Sequence, residues 1–281
     1  MRVAHAEDSS QASNAIRGGK RDFRTLLRGN EDSPNNYRLS FVRQSGELDV
    51  PRHRHNFDQI RMCLEGDPQN YGKDKWFDAG EIVYFPEGTP YGPEQSASHR
   101  LSITLQFGGA SGHGYIGAQR TAEAIEEMKA YGTFEKGVFT RSGEPEPGQR
   151  RNQDSYEAIW EHINKRKLTY PKPRYEEPVH IKPANFDWIA DAHQHGIATK
   201  PLAVFSERGC SISMLKVDAG ASGELGNRGC IQIGFVVSGE GEANGETIRK
   251  YTALSLDCHE PLRISSRDGA ELLIVGLPMV T

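Results

Sequence analysis

Between residues 37 and 110 the hydrophobic and polar positions alternate in short runs rather than in long periodic segments. The runs are rich in Val, Ile, Phe and Tyr, and turn sequences such as QSGE, DAGE and PEGTPYGPEQ interrupt them. Turns at intervals of about 8 to 12 residues are typical of antiparallel sandwiches and barrels. We therefore predict a β barrel over residues 37–110, preceded by an N-terminal extension over residues 1–36.

The pattern changes after residue 110, where the segments GAQRTAEAIEEMKAYG and DSYEAIWEHINKRK have helical periodicity. Asp154 stands where its side chain can cap the second of these helices. Strand-like runs return in CSISMLKV, CIQIGFVVSGEG and AELLIVGLP. The sequence thus predicts a helical and linker segment over residues 111–199 and a second β barrel over residues 200–281.

The two β blocks are similar to each other in sequence. QIRMCLEG at 59–66 and QIGFVVSG at 232–239 both end in a glycine turn, and LSITLQF in the first block matches AELLIVGL in the second. Such internal similarity indicates two copies of one unit. The predicted fold class is therefore all-β, with two barrels joined by a helical insert.

Charge and hydropathy exclude several classes of partner. The 281 residues include 34 Lys and Arg and 38 Asp and Glu, a net charge of −4, so no global positive field exists to hold nucleic acid or an anionic membrane. No window approaches about 18 uninterrupted apolar residues, and the start has no signal-peptide pattern. We expect a cytoplasmic protein, and a homodimer in which the basic segment before Tyr37 covers sheet edges.

The pair His53 and His55 opens a predicted strand, and the alternation of side chains along a strand directs both imidazoles to one face. Gln59 has the same parity. Two imidazoles and an amide oxygen inside a small barrel can hold a divalent first-row metal such as Fe, Mn, Ni, Cu or Zn. The alternative interpretation is that HRH belongs to a solvated basic run.

These residues resemble the motifs of the cupin superfamily. In the first cupin motif a glycine precedes His-x-His, which an acidic residue and a second glycine follow. The positions that match this order are Gly46, His53, His55, Gln59 and Gly66. Gly80, Pro86 and Gly88 match the second motif, but Tyr91 stands at the position of its His ligand. The resemblance implies two double-stranded β-helix barrels of the jelly-roll type, and a metal site usually built from three His and one Glu.

Tyr91 and His99 are further candidates for this site. At these few positions the chain is similar to the ectoine synthase branch of the cupins, in which a Tyr and a later His join an acidic residue around iron. Alternatively, the Tyr91 hydroxyl closes the barrel mouth and His99 is a surface residue. If His99 points inward, alternation places four apolar residues inside with it, namely Leu101, Ile103, Leu105 and Phe107. Three polar residues then point outward, namely Ser102, Thr104 and Gln106.

Arg61 shares the parity of His53 and Gln59 and is therefore expected to point into the first barrel. A buried guanidinium requires a partner, which is either a substrate carboxylate or phenolate or an acid of the chain such as Asp58 or Glu65. Because Gln59 replaces a carboxylate, the metal ligands are neutral. We therefore expect an electropositive cavity that favours an anion.

The second barrel lacks the histidine pair. Gly226 and Arg228 occupy the positions of His53 and His55, so we expect no metal there. Another pair, His193 and His195, lies in a turn-like segment with no supporting acid in register, and we do not predict a site at it.

Bicupins with one intact site resemble dioxygenases and related oxidoreductases. The resemblance therefore implies a metal-dependent enzyme, with iron as the first choice of cofactor and a small anionic or aromatic molecule as substrate. The predicted metal ligands are His53, His55, Gln59 and His99, and the predicted catalytic residues are Tyr91 and Arg61. An isomerase, lyase or cyclase would use the same groups, and a non-catalytic binding module would keep the pocket without the metal.

Overall fold

The computed structural model describes residues 1–8, 11–13, 21–113, 115–225 and 228–280. The strands up to residue 107 are β1 (Arg2–His5), β2 (Gln11–Ser13), β3 (Arg21–Arg28), β4 (Tyr37–Val50), β5 (Asp58–Gly66), β6 (Gln69–Gly72), β7 (Lys75–Phe77), β8 (Ile82–Phe85) and β9 (Glu94–Phe107). The middle of the chain forms α1 (Ala118–Met128), β10 (Gly132–Glu135), β11 (Val138–Arg141), β12 (Asn152–Asp154) and α2 (Ser155–Asn164). The remainder forms β13 (Val179–Ile181), a 3₁₀ helix (Pro183–Asn185), β14 (Ile189–Ala190), β15 (Ile197–Phe205), β16 (Cys210–Val217), β17 (Ser222–Leu225), β18 (Gln232–Ala243), β19 (Glu246–Arg249), β20 (Thr252–Leu256), β21 (Leu262–Ser265) and β22 (Ala270–Gly276).

These elements form two compact units, each built around an antiparallel barrel sheet. One unit comprises Gln11–Phe23 and Gly29–His180, and the other comprises Met1–Ser10, Arg24–Arg28 and Ile181–Thr281. The predicted fold class, two jelly-roll barrels with a helical insert, is confirmed. The insert clusters with the first barrel, and the N-terminal residues supply strands to both sheets rather than a separate extension.

The first barrel contains a sheet with the strand order β13-β8-β5-β9-β4-β3-β2. The long strands β4 and β9 pair along their whole length, from Tyr37 opposite Phe107 to Val50 opposite Glu94. Because side chains alternate between the faces of a sheet, this register separates a polar face from an apolar one. The apolar face is buried and includes Leu39, Phe41, Ile60, Met62, Ile103 and Leu105.

The insert contains the two predicted helices. Asp154 caps α2, accepting hydrogen bonds from the backbone N–H of Tyr156 and of Glu157 at 2.9 and 3.0 Å. The helices pack with β11 around Met128 and Phe139. Between the two helices in sequence, β10, β11 and β12 form a small sheet. The sequence did not predict these strands, because they are short and carry no clear alternation of hydrophobic and polar residues. Neither these helices nor any other in the described ranges is long and apolar enough to cross a membrane.

The second barrel repeats the local geometry of the first. The strand β5 has a bulge between Cys63 and Glu65, and β18 has one between Val236 and Ser238, at the equivalent position of the matched sequences. Each bulge is followed by a glycine with positive φ, +92° at Gly66 and +76° at Gly239. A Cβ there would lie about 2 Å from the backbone oxygen of His99 or of Gly269, respectively. The bulges and glycines therefore support two copies of one unit. At the edge of the second sheet, β1 pairs with β20.

Candidate functional site

The backbone brings His53 and Tyr91 together at one end of the first barrel. The two residues form an antiparallel bridge, in which the N–H of each donates to the carbonyl of the other at 3.0 and 2.9 Å. Two residues further along the chain, the carbonyl of His55 accepts from the N–H of Gly88 at 2.7 Å. The two sequence motifs, 36 residues apart at His55 and Tyr91, thus meet through main-chain contacts.

The side chains of His53, His55 and Tyr91 are buried and in mutual contact. The two imidazole rings are edge to face with centroids 4.9 Å apart, and the ring of Tyr91 lies 4.3 Å from that of His53. His55 Nε2 and Tyr91 Oη form a hydrogen bond of 2.8 Å. His53 Nδ1 is 2.8 Å from the carbonyl oxygen of Pro51. Because that oxygen can only accept, Nδ1 of the neutral ring carries the proton and Nε2 keeps the lone pair.

Arg61 points into the barrel, as its parity predicted, and it contacts Gln59 and Tyr91. Its Nη2 donates to Tyr91 Oη at 3.2 Å. The Gln59 amide satisfies its neighbours when its oxygen faces the guanidinium and accepts from Nη2 at 3.0 Å and from Nε at 2.8 Å. The Gln59 oxygen is therefore used to hold Arg61.

The acidic partner of Arg61 is Glu94, which the sequence did not suggest. Arg61 Nη1 forms an ion pair with Glu94 Oε1, and Arg21 Nη2 lies 3.1 Å from Oε2 of the same carboxylate. Burial acts to raise the pKa of Glu94, but the two guanidinium groups outweigh it and hold that pKa at about 2. Neither Asp58 nor Glu65 serves as this partner, since Asp58 is bound elsewhere and Glu65 is exposed.

Asp58 is buried on the same strand but belongs to a different network. Its carboxylate accepts from the Tyr84 hydroxyl at 2.9 Å and from the backbone N–H of Glu87 at 2.8 Å. Burial raises the pKa of Asp58 to about 7 in spite of these hydrogen bonds. Asp58 therefore ties β5 to the turn after β8.

The polar face of the first barrel lines a cavity of ≈ 80 Å³. His55, Gln59 and Tyr91 form part of its wall. Its charged lining residues are Arg21, Arg38, Arg61, Arg100 and Glu94. Four guanidinium groups thus face one carboxylate, which leaves three positive charges unbalanced. The cavity has the electropositive character that we expected, but most of it comes from arginines other than Arg61.

The expectation that His99 lines the cavity is wrong. His99 is exposed, and its backbone N–H donates to Asp67 Oδ2 at 2.9 Å. The residues of β9 that line the cavity are Arg100, Ser102, Thr104 and Gln106, whereas Ile103, Leu105 and Phe107 belong to the opposite, apolar face. The prediction separated the two faces of β9 correctly but took the apolar face as the side of the cavity, whereas the polar face lines it.

Two of the predicted metal ligands, His53 and His55, lie against Tyr91, which was predicted as a catalytic residue. Two donors bound about 2.1 Å from one ion at right angles lie about 3 Å apart, close to the 2.8 Å between His55 Nε2 and Tyr91 Oη. The contact of His53 Nδ1 with a carbonyl is the usual way to orient a metal-binding imidazole. In the described ranges no group of three or more His, Cys, Asp or Glu could hold a metal, so a site here requires Tyr91 as a donor. Gln59, turned towards Arg61, and the exposed His99 lie outside this set.

The interior of the second barrel is apolar, unlike the polar cavity of the first barrel. Gly226 lies outside the described residues, and Arg228 donates to Ser211 Oγ at 3.4 Å. Gly234 stands where the matched sequences place Arg61, and a Cβ there would lie 2.7 Å from the side chain of Leu254. The surrounding cluster is apolar and buried. Outside the barrel, His193 and His195 are both exposed.

Comparison with known proteins establishes the fold. No family model matches the chain, and no curated protein matches it. A protein of Nostoc punctiforme described as a candidate dioxygenase has 12% identity and a TM-score of 0.62, over 100% of this chain and 84% of its own. GK1651 of Geobacillus kaustophilus has 13% identity and a TM-score of 0.56, over 99% and 95%.

Oxalate decarboxylase of Bacillus subtilis, a protein with Mn(II) centres, is also similar, with 11% identity and a TM-score of 0.56 over 99% of this chain and 78% of its own. These neighbours are cupin-fold proteins. The chain therefore has the cupin fold.

Proposed function

We propose that the first barrel is the active site of a metal-dependent enzyme that acts on a small organic anion, with dioxygenase-type oxidation as the favoured reaction. The observation that carries the proposal is the buried contact of His53, His55 and Tyr91 beside an arginine-lined cavity. The candidate dioxygenase and the manganese-containing decarboxylase among the structural neighbours support it. The second barrel, with an apolar interior, would serve folding.

In this proposal His53, His55 and Tyr91 hold the ion, and iron or manganese are the favoured choices. When bound, such an ion supplies a Lewis acid and a redox centre. Arg61 donates to Tyr91 Oη and so stabilises negative charge on that oxygen. The Arg61 side chain is fixed by Glu94 and Gln59.

A second candidate is a non-catalytic binding module that has kept the pocket and lost the metal. One observation favours it: the residue at the position of the acidic cupin ligand, Gln59, directs its oxygen towards Arg61. In such a module His55 and Tyr91 would act as a hydrogen-bonding pair for the bound molecule.

Metal content separates the two candidates. The protein is stripped with a chelator, loaded anaerobically with Fe²⁺ or with Mn²⁺, desalted and analysed for bound metal. We expect close to one ion per chain in the unaltered protein and almost none in the double variant His53→Ala, His55→Ala. The matched control is the double variant His193→Ala, His195→Ala, which removes two exposed imidazoles and should retain the metal. Equal metal content in both double variants, or none in the unaltered protein, would favour the binding module.

We also propose a homodimer, since β2 and β14 end their sheets as edge strands that another chain can cover. Static light scattering should give twice the mass of one chain. A single-chain mass would contradict this assembly.

A further inference from the structure

Three sulfur-containing side chains lie at the end of the second barrel where β18 begins. Cys258 Sγ is 4.0 Å from Met279 Sδ. Cys230 stands two residues before β18, and its Sγ is 3.3 Å from the point at which a Cβ of Gly276 would lie. Cys230 and Cys258 are thiols, and all three side chains are partly exposed. The proposed function uses none of them.

The pairing of β18 with β20 places Cys230 and Cys258 opposite each other. The antiparallel register reaches Gln232 opposite Leu256. The two cysteines stand two residues beyond this pair, one on each chain, and a main-chain hydrogen bond of 2.9 Å still joins the chains just past them. Because residues opposite each other in an antiparallel pair point to the same face, the two thiols share one face.

On the other side of β18, the end of β22 brings Met279 to the same place. The N–H of Leu277 donates at 2.9 Å to the carbonyl of Ile231, the residue that follows Cys230. Met279 lies two residues further along. Its Sδ contacts the sulfur of Cys258, which belongs to the opposite neighbour of β18, so the two side chains meet over the middle chain. That chain carries Cys230, and the three sulfur atoms therefore converge.

The charges around the thiols are consistent with this arrangement. Burial raises the pKa of the Cys230 thiol, repulsion from Cys258 adds to the increase, and the guanidinium of Arg228 acts against it. A cation between the sulfur atoms would replace the thiol protons and remove the repulsion. Two thiolates and a monovalent ion leave one negative charge, which Arg228 can offset.

The spacing and the chemistry of the donors select the ion. Two sulfur atoms bound about 2.3 Å from one ion at an angle of about 120° are about 4.0 Å apart, which is the separation of Cys258 Sγ and Met279 Sδ. Thiolate and thioether ligands favour Cu(I), whereas Mn²⁺ prefers oxygen ligands. Structural zinc sites take four ligands from Cys, His, Asp and Glu, so a thioether as the third donor favours copper.

We infer that Cys230, Cys258 and Met279 form a three-coordinate site for monovalent copper. Binding forms three Cu–S bonds and releases the two thiol protons to solvent, with no change of oxidation state. The inference goes beyond the proposed function and does not depend on it, because the first-barrel site uses nitrogen and oxygen donors. The expectation for the positions that match the histidine pair is unchanged, because none of the three sulfur residues occupies them.

The test is a competition for Cu(I) between the reduced full chain and the chromogenic chelator bicinchoninate, without oxygen. We expect the chain to take up close to one Cu(I). X-ray absorption at the copper edge should then show three sulfur atoms about 2.3 Å from the ion. Failure of the chain to remove copper from the chelator, or nitrogen and oxygen ligands around the bound copper, would overturn the inference.

Variants locate the ligands. Loss of a group that only supports a metal ligand costs about 10- to 100-fold in affinity, so Cys230→Ala and Cys258→Ala should each cost more than about 100-fold. Met279→Leu, which removes a neutral donor, should cost about 10-fold or more.

The matched controls are Cys210→Ala and Met214→Leu, which remove a buried thiol and a buried thioether from β16. Each should change Cu(I) affinity less than about 2-fold. Thermal unfolding shows whether each variant is folded. Equal losses in the folded controls and in the three site variants would contradict the assignment.

The measurements separate this inference from the proposed function. The double variant His53→Ala, His55→Ala should retain the copper, and loss of copper from it would contradict the sulfur site. A chain that binds Cu(I) through the sulfur residues but takes up neither Fe²⁺ nor Mn²⁺ supports this inference and contradicts the metal enzyme. A chain that takes up Fe²⁺ or Mn²⁺ at the histidine pair but no Cu(I) does the opposite.

Discussion

Arg61 and Glu94 form a buried ion pair across the first barrel, although 33 residues separate them in the sequence. The pair fixes the guanidinium that touches Tyr91 Oη and cancels its charge locally. The unbalanced charge of the cavity consequently depends on the other arginines, and Arg61 acts on the site mainly by position.

Replacement of Glu94 should test this pair. In Glu94→Gln, Arg61 and Arg21 lose their shared carboxylate in a buried setting, so we expect the free energy of unfolding to fall by about 3 to 5 kcal/mol in urea denaturation. The control Glu47→Gln removes an exposed carboxylate from β4 and should change the free energy of unfolding by less than about 0.5 kcal/mol. Similar small effects of both substitutions would show that the ion pair contributes little.

Because burial raises the pKa of Asp58, this residue should make the folded protein less stable as the pH rises. Its pKa is about 7 in the folded state and 3.8 in the reference state, so the folded chain binds more protons between these values. The stabilisation is complete below pH 3.8 and is lost as the pH rises through about 7, by an amount on the order of 4 kcal/mol. Denaturation measured from pH 4 to pH 8 should show this loss, and Asp58→Asn should remove it. A pH dependence unchanged in Asp58→Asn, and equal to that of the control Asp49→Asn, would contradict the assignment.

The Tyr91 hydroxyl can be removed with little change in shape. Tyr91→Phe keeps the ring against His53 and Phe85 but loses the contacts of the oxygen with His55 and Arg61. We expect metal affinity, measured by competition with a chromogenic chelator, to fall about 10-fold or more.

The control for this change is Tyr84→Phe, which also removes a buried, hydrogen-bonded hydroxyl but lies in the Asp58 network. Both variants should lose about 1 to 3 kcal/mol of stability, and only Tyr91→Phe should lose metal. Retention of full metal affinity by Tyr91→Phe would remove Tyr91 from the donor set.

Gln59→Glu should change metal and anion binding in opposite directions. A carboxylate at this position would lie against Arg61 and reduce the unbalanced charge of the cavity from three to two. We therefore expect tighter metal binding and weaker binding of a small carboxylate such as acetate, both measured by calorimetry. Gln95→Glu adds the same charge at an exposed position of β9 and should affect neither. Parallel changes in the two binding constants would contradict the electrostatic argument.

The sequence was sufficient for much of the fold and for the centre of the site. Alternation along β5 correctly directed Gln59 and Arg61 to one face, whereas His53 and His55 precede that strand and are placed by the bridge between His53 and Tyr91. The glycine turns after QIRMCLE and QIGFVVS marked equivalent bulges in two barrels. Asp154 correctly marked the start of α2. In each case the information lies within a few consecutive residues.

What the sequence could not provide is the register between distant strands. Arg38, Glu94 and Arg100 belong to β4 and β9, and only the pairing of these strands with β5 places them beside Arg61. The error at His99 has a related cause, because alternation separates two faces without showing which one faces the cavity. The sequence did contain a signal for the cavity side of β9. Ser102, Thr104 and Gln106 lie on the same face of β9 as Arg100, and they form a polar set that faces the same side as Arg38 and Ser40 of β4.

Anomalous diffraction from crystals loaded with Mn²⁺ tests the central claim most directly. The account predicts a single strong peak in the first barrel, within bonding distance of His53 Nε2, His55 Nε2 and Tyr91 Oη. A peak beside Arg228 in the second barrel or beside His193 and His195, or a fully loaded crystal with no peak at His53 and His55, would contradict it.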